Sequence, residues 1–71
     1  MVMLAENGFT FKGRGTGCER IYQKDDIEVR LNRCKGVVVA LKDGVEVARH
    51  FVLPHSYQQD MNNFINKLNE L

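Results

Sequence analysis

The sequence predicts an α+β domain: a four- to five-stranded antiparallel β-meander with one C-terminal amphipathic helix packed on one face. Three observations carry this expectation. Asp43-Gly44 stands between two strand-forming runs, Val37-Val38-Val39-Ala40-Leu41 and Val45-Glu46-Val47, which is a hairpin pattern. Ile27-Glu28-Val29-Arg30-Leu31-Asn32 alternates apolar and polar side chains with the period of a half-buried strand. Tyr57, Met61, Phe64, Ile65, Leu68 and Leu71 recur at i, i+4, i+7, i+8, i+11 and i+14, a single helical stripe.

Taken in order, residues 9–12 read as a first strand with Phe9 and Phe11 on one side. Gly13-Arg14-Gly15-Thr16-Gly17 is a glycine-rich connection, residues 18–23 form a second strand and residues 27–32 a third. Pro54 ends the last strand, and Ser56 followed by Gln59 has the form of a capping box. The sheet is expected over residues 9–53 and the helix over 56–70, within one small domain spanning 1–71.

Register decides which side chains face the helix. A two-residue loop at Asp43-Gly44 would pair Leu41 with Glu46 and Val39 with Ala48, bringing charge toward the core. A three-residue loop, Lys42-Asp43-Gly44 with the glycine left-handed, pairs Leu41 with Val45 and Val39 with Val47. Lys24-Asp25-Asp26 can make the same loop and pair Ile21 with Val29. The connection from Asn32 to Gly36 then pairs Leu31 with Val37. A one-residue slip flips every side chain, so the apolar pattern favours the longer loops. The expected inner face is Phe9, Phe11, Ile21, Ile27, Val29, Leu31, Val37, Val39, Leu41, Val45, Val47, Phe51 and Leu53. The outer face then aligns Arg20, Arg30, Val38 and Ala48, beside Tyr22, Glu28, Ala40 and Glu46.

Composition describes an ordinary globular domain, 44% apolar and 27% charged, with a formal net charge of +1. At 71 residues it buries only about 60% of its unfolded surface, which favours a partner subunit. Residues 12–35 carry a mild basic excess from Lys12, Arg14, Arg20, Lys24, Arg30, Arg33 and Lys35, well short of a dedicated duplex binder. Cys18 and Cys34 are too few for a disulfide framework and lack Cys-x-x-Cys spacing. No membrane span and no signal peptide can be read, so the chain is expected in the cytoplasm with its thiols reduced.

No motif of a known chemistry assembles. The glycine-rich segment fits neither the Walker nor the dinucleotide fingerprint, although its amides with Lys12 and Arg14 could nest an anion. Cys18, Cys34, His50 and His55 match no zinc spacing, so no metal and no cofactor is expected. Ser56 is explained as a helix cap.

Two readings of the outer face follow. In the first, the chain is a small non-enzymatic interaction or regulatory protein, a homodimer acting through protein–protein contacts. Its interface would be Val38, Ala40 and Ala48 on the sheet and the amide-rich helix face at Asn62 and Asn66. In the alternative it is a single-stranded nucleic-acid-binding module, with Lys12, Arg14, Arg20 and Arg30 on phosphates and Tyr22 stacking a base. Arg20 opposite Arg30 would be a like-charge pair that an anion relieves. A solvated face with internal ion pairs is the plainer explanation of the same charges.

Two resemblances bear on these readings. The segment from Asn7-Gly8-Phe9 to Tyr22 is similar to the start of HicA-type mRNA interferase toxins, where a Gly-Phe strand precedes a Gly-Ser-His strand. Thr16-Gly17-Cys18 stand here instead, and no histidine occurs before His50, so the resemblance brings no catalytic residue with it. The order of strands followed by a helix also resembles the PC4-type single-strand DNA-binding domain, which dimerises. That likeness is one of architecture, and architecture does not imply function.

Overall fold

A computed structural model describes residues 3–70. Met1, Val2 and Leu71, the last member of the expected helical stripe, lie outside the described residues. The elements are α1 (Met3–Glu6), β1 (Thr10–Arg14), β2 (Glu19–Lys24), β3 (Ile27–Asn32), β4 (Val37–Lys42), β5 (Val45–Phe51), a 3-10 turn (Pro54–Ser56) and α2 (Tyr57–Asn69). The five strands follow one another in the order β1-β2-β3-β4-β5, all neighbours antiparallel. This is the expected meander with its C-terminal helix.

The loops are shorter than expected, and the register changes with them. Lys42 pairs with Val45, so Asp43-Gly44 is a two-residue turn. Both its residues are left-handed, with φ of 55° and 81°, the type I′ geometry that Asp-Gly favours because it matches the strands' twist. Lys24 likewise pairs with Ile27 across Asp25-Asp26, with Asp25 at φ 54°. The pairs are therefore Tyr22 with Val29, Leu31 with Val38 and Leu41 with Glu46, the arrangement that the apolar pattern had argued against.

A β-bulge resolves the conflict. Leu41 faces Glu46 while the next pair is Ala40 with Ala48, so Val47 is the extra residue of β5. Leu41 and Glu46 both point away from the helix, and no charged residue is buried among the described residues. The face under the helix is Val29, Leu31, Val38, Ala40 and Ala48, with Tyr22 and His50 at its margins. Val38 and Ala40 are fully buried, at 0% exposure. Ile21, Val37, Val39, Leu41 and Phe51, all expected inside, lie on the opposite face; Val45 and Leu53 are exposed. Phe9, Val29 and Leu31 remain in the core, with Ile27 and Val47 packed against it.

The helix explains which face is buried. Met61, Phe64, Ile65 and Leu68 fill its inner side, and Phe64 and Met61 are among the largest fully buried side chains. Bulky helix residues need small partners beneath them, and Ala40 and Ala48 leave that room. Leu41 and Val39, which hold the corresponding places on the other face of β4, leave less.

The ends of the sheet carry three further details. α1 was not foreseen: the Leu4 carbonyl accepts from Asn7 N–H (3.1 Å) and Phe9 N–H (3.0 Å), and Leu4 and Phe9 join the core. Lys24 clamps this corner, donating to the Asn7 carbonyl (3.0 Å) with its ammonium 5.7 Å from the Phe9 ring centre. Ser56 is not the expected cap, since it makes no bond to a backbone amide. Its hydroxyl donates instead to Asp60 Oδ2 (2.8 Å), which also accepts from Leu53 N–H (3.0 Å).

Cys18 and Cys34 are joined as a disulfide, contrary to the expectation of reduced thiols. The bond ties the start of β2 to the β3–β4 turn, two segments that the antiparallel ladder already brings side by side. With these cysteines bonded, reduced thiols no longer point to the cytoplasm. No described helix is long and apolar enough to cross a membrane.

Candidate functional site

Antiparallel pairing writes the open face of the sheet as three rows running across β2–β5. The first is Glu19, Asn32, Val37 and Phe51; the second is Ile21, Arg30, Val39 and Arg49; the third is Gln23, Glu28, Leu41 and Glu46. Among the described residues no helix covers these rows. Val37, Val39 and Leu41 form a half-buried apolar line along β4, extended on β5 by Phe51, which is 70% exposed; Ile21 lies two strands away, beyond Arg30. The face holds an open concavity of about 750 Å³, lined by Val37, Val39 and Leu41 and their polar and charged neighbours.

The charges of this face are internally paired. Arg30 Nε donates to Glu28 Oε2 at 2.6 Å, and its Nη1 lies 3.5 Å from Glu19 Oε1. Arg49 donates to both oxygens of Glu46, at 2.8 and 3.2 Å. The Glu28 hydrogen bond raises the Arg30 pKa above its ordinary value. The Arg49 bond lowers the Glu46 carboxyl and raises the arginine in turn. These are solvent-exposed pairs and add little to stability individually. They do fix where positive and negative charge sit around the apolar line.

The residues expected to bind nucleic acid are divided between the two faces. Arg14 and Arg20 lie directly opposite one another on β1 and β2, on the helix side, at the end of the sheet nearest the disulfide. Tyr22 is on the same side, paired with Phe11, their rings edge to face at 5.4 Å between centres. Lys12 is exposed beside the β1 bulge between Phe11 and Gly13. Arg30 is on the open face, so it does not oppose Arg20; Arg20 pairs with Leu31 and Arg30 with Ile21.

The residues expected at a protein interface are divided too. Val38, Ala40 and Ala48 are core residues beneath the helix and cannot contact a partner. Asn62 and Asn66 are exposed on α2. The glycine-rich nest is partly closed, because Gly15 N–H donates to the Glu19 carbonyl (2.9 Å). Among the described residues no three His, Cys, Asp or Glu side chains cluster as metal ligands.

Sequence reasoning missed Ile21, Val37, Val39, Leu41 and Phe51 as surface residues, and Arg33 as a neighbour of Arg14 and Arg20. The available signals were the type I′ preference of Asp-Gly and the small size of Ala40 and Ala48. Arg33 follows Asn32 into the β3–β4 turn and stands with its guanidinium 4.5 Å from the Tyr57 ring centre. It shares a recess with Arg14, Arg20 and the disulfide. No protein-family model matches this chain, and neither a curated protein nor a solved structure is similar enough to count as a match.

Proposed function

We propose that this chain is a non-enzymatic interaction protein working through protein–protein contact on the open face of its sheet, with a second copy of itself as partner. The observation that carries the reading is the half-buried apolar line of Val37, Val39 and Leu41, which no described helix covers, with the exposed Phe51 beside Val37. An apolar strip with a polar rim that the chain itself leaves uncovered supports an interaction surface.

Charge order supports a second copy as the occupant. Arg30 and Arg49 share the row of Val39, and Glu28 and Glu46 share the row of Leu41. A two-fold axis running across the strands between these rows would set the arginines of one protomer over the glutamates of the other. Val39 would then meet Leu41 of the second copy. Such self-complementarity is what an isologous interface requires. The glutamates of this face already engage arginines, which supports binding rather than acid–base chemistry. The Cys18–Cys34 disulfide supports an oxidising surrounding over the reduced cytoplasm that the cysteine count suggested.

Light scattering over a range of protein concentrations tests the reading. The wild-type chain is expected to shift from monomer to dimer mass, and Val39→Asp to weaken that association at least tenfold while circular dichroism stays native. A strictly monomeric mass at high micromolar concentration overturns the proposal. So does a dimer indifferent to Val39→Asp, which would place self-association on an edge strand instead.

A further inference from the structure

We infer that the disulfide end of the sheet is a binding site for single-stranded nucleic acid, with Arg14, Arg20 and Arg33 holding phosphates and Phe11 and Tyr22 receiving a base. The site is on the helix side of the sheet, away from the proposed dimer face, and does not depend on it.

Ion pairing separates these arginines from those of the open face. Both arginines of the open face, Arg30 and Arg49, are engaged by glutamates. Arg14, Arg20 and Arg33 have no carboxylate within ion-pairing distance among the described residues. They nonetheless converge. Arg14 and Arg20 are direct cross-strand partners, and all three line one recess of about 310 Å³ with Gly17, Cys18 and Cys34. No acidic residue lines it.

A like-charge pair directly across two strands costs stability unless an anion shares it. The fold holds the third charge beside that pair from two directions. The disulfide anchors Cys34, the residue after Arg33, to the start of β2, and the Tyr57 ring supports the guanidinium from the first turn of α2. Guanidinium groups are the side chains best suited to a phosphodiester, since their planar fork of N–H donors matches its oxygens.

The aromatic pair assigns the ligand to nucleic acid rather than to a bare anion. Phe11 and Tyr22 form the adjacent row on the same side, two residues further along β2, or about 6.8 Å. Phe11 is 51% exposed, so about half of its surface is open at the sheet margin. A phosphate on the arginines would leave its base within reach of that ring. Only an unpaired base can lie there, which selects single strands over duplex. Basic side chains beside an exposed aromatic platform are the common means of holding single strands.

Fluorescence anisotropy with a labelled oligothymidylate of about twelve nucleotides tests the site. Three phosphate contacts predict a slope of about −2 for log affinity against log salt, since each contributes about 0.7 on a single strand. Arg20→Gln and Arg14→Gln should each weaken binding and reduce the slope by about 0.7. Neither should lower the melting temperature, because each relieves the like-charge pair. Phe11→Ala should weaken binding about five- to a hundredfold with the slope unchanged, since stacking releases no counterions. Lys67→Gln, at the far end of α2, should change neither quantity. Absence of binding at low salt overturns the proposal. Equal competition by inorganic polyphosphate, together with no effect of Phe11→Ala, also overturns it and reduces the patch to a general polyanion surface.

Discussion

On the helix-covered face of the sheet, Ala40 of β4 and Ala48 of β5 leave room for Phe64 and Met61; on the open face, Val37, Val39 and Leu41 of β4 lie among arginine–glutamate pairs. Both faces of β4 are apolar. What separates them is the two alanines and the company of charge. The covered face has Ala40 paired with Ala48 beside Val29, Leu31 and Val38, with no charge buried among them. The open face has no alanine among its paired residues and carries a fixed pattern of charges. Apolar character alone therefore identifies two surfaces that exclude water, and the room above Ala40 and Ala48 favours the one that the chain's own helix takes.

The largest expected effect separates the two faces directly. Phe64→Ala should cost about 3–5 kcal/mol in urea unfolding, the range for emptying a buried aromatic site. In dilute protein, where the chain is monomeric, Val39→Ala should cost under about 1 kcal/mol, the range of surface substitutions. Raising the protein concentration should enlarge the Val39→Ala cost if a second copy covers the open face, because association then adds to stability. A large cost for Val39→Ala in dilute protein would break the comparison and make the open face part of the monomer's own core.

The meander and the helix were legible in the sequence because their signals are long and redundant. The stripe from Tyr57 to Leu68 has one solution, and Ile27 to Leu31 alternates cleanly. The faces of the other strands were not legible from alternation, because β4 offers valines to both sides and β5 contains a bulge that periodicity cannot display. The turn Asp43-Gly44 carries the missing information, and Glu46 stays out of the core without a longer loop because the bulge at Val47 puts it outside. Moving β2 and β4 by one residue carries Arg20 and Tyr22 to the helix side and buries Val38 and Ala40, and the bulge in β5 brings Ala48 in beside them. Arg30 kept its place because β3 was read correctly. The contact between Arg33 and Tyr57 and the bond between Cys18 and Cys34 are tertiary, and no local pattern announces either.

A second contrast runs along the sheet instead of through it. β3, β4 and β5 each have side chains buried beneath the helix, whereas β1 and β2 have none that are fully buried. The outer pair depends on its hydrogen-bonded ladder, the α1 corner and the disulfide. Replacing both cysteines with serine should therefore cost about 3 kcal/mol, the loop-closure value for a cross-link spanning 16 residues. Hydrogen exchange should show the loss concentrated in β1 and β2, with the amides of β4 opening only in global unfolding. Uniform loss of protection would mean that the sheet unfolds as one unit and that helix cover does not distinguish its two halves.

The smallest expected effect concerns the polar clasp that holds the covering helix to the end of β5. Asp60, in the first turn of α2, accepts from Leu53 N–H and from the Ser56 hydroxyl. The Leu53 bond is the main cause, and the Ser56 bond the next, of a carboxyl pKa held below its ordinary value; His50 and His55 contribute weakly in the same direction. A carboxyl depressed in the folded state binds its proton more readily once unfolded, so acid favours unfolding. The contribution is complete above the ordinary aspartate value of about 3.9 and is lost as pH falls through the lower folded value. Urea unfolding of wild type and Asp60→Asn between neutral and strongly acidic pH isolates it from the other carboxylates. The wild type should be the more stable at neutral pH, and the two stability curves should converge below about pH 4 as its own clasp protonates. Parallel curves over the whole range would show that the Asp60 charge is indifferent to folding, and that the apolar stripe alone keeps α2 on its face of the sheet.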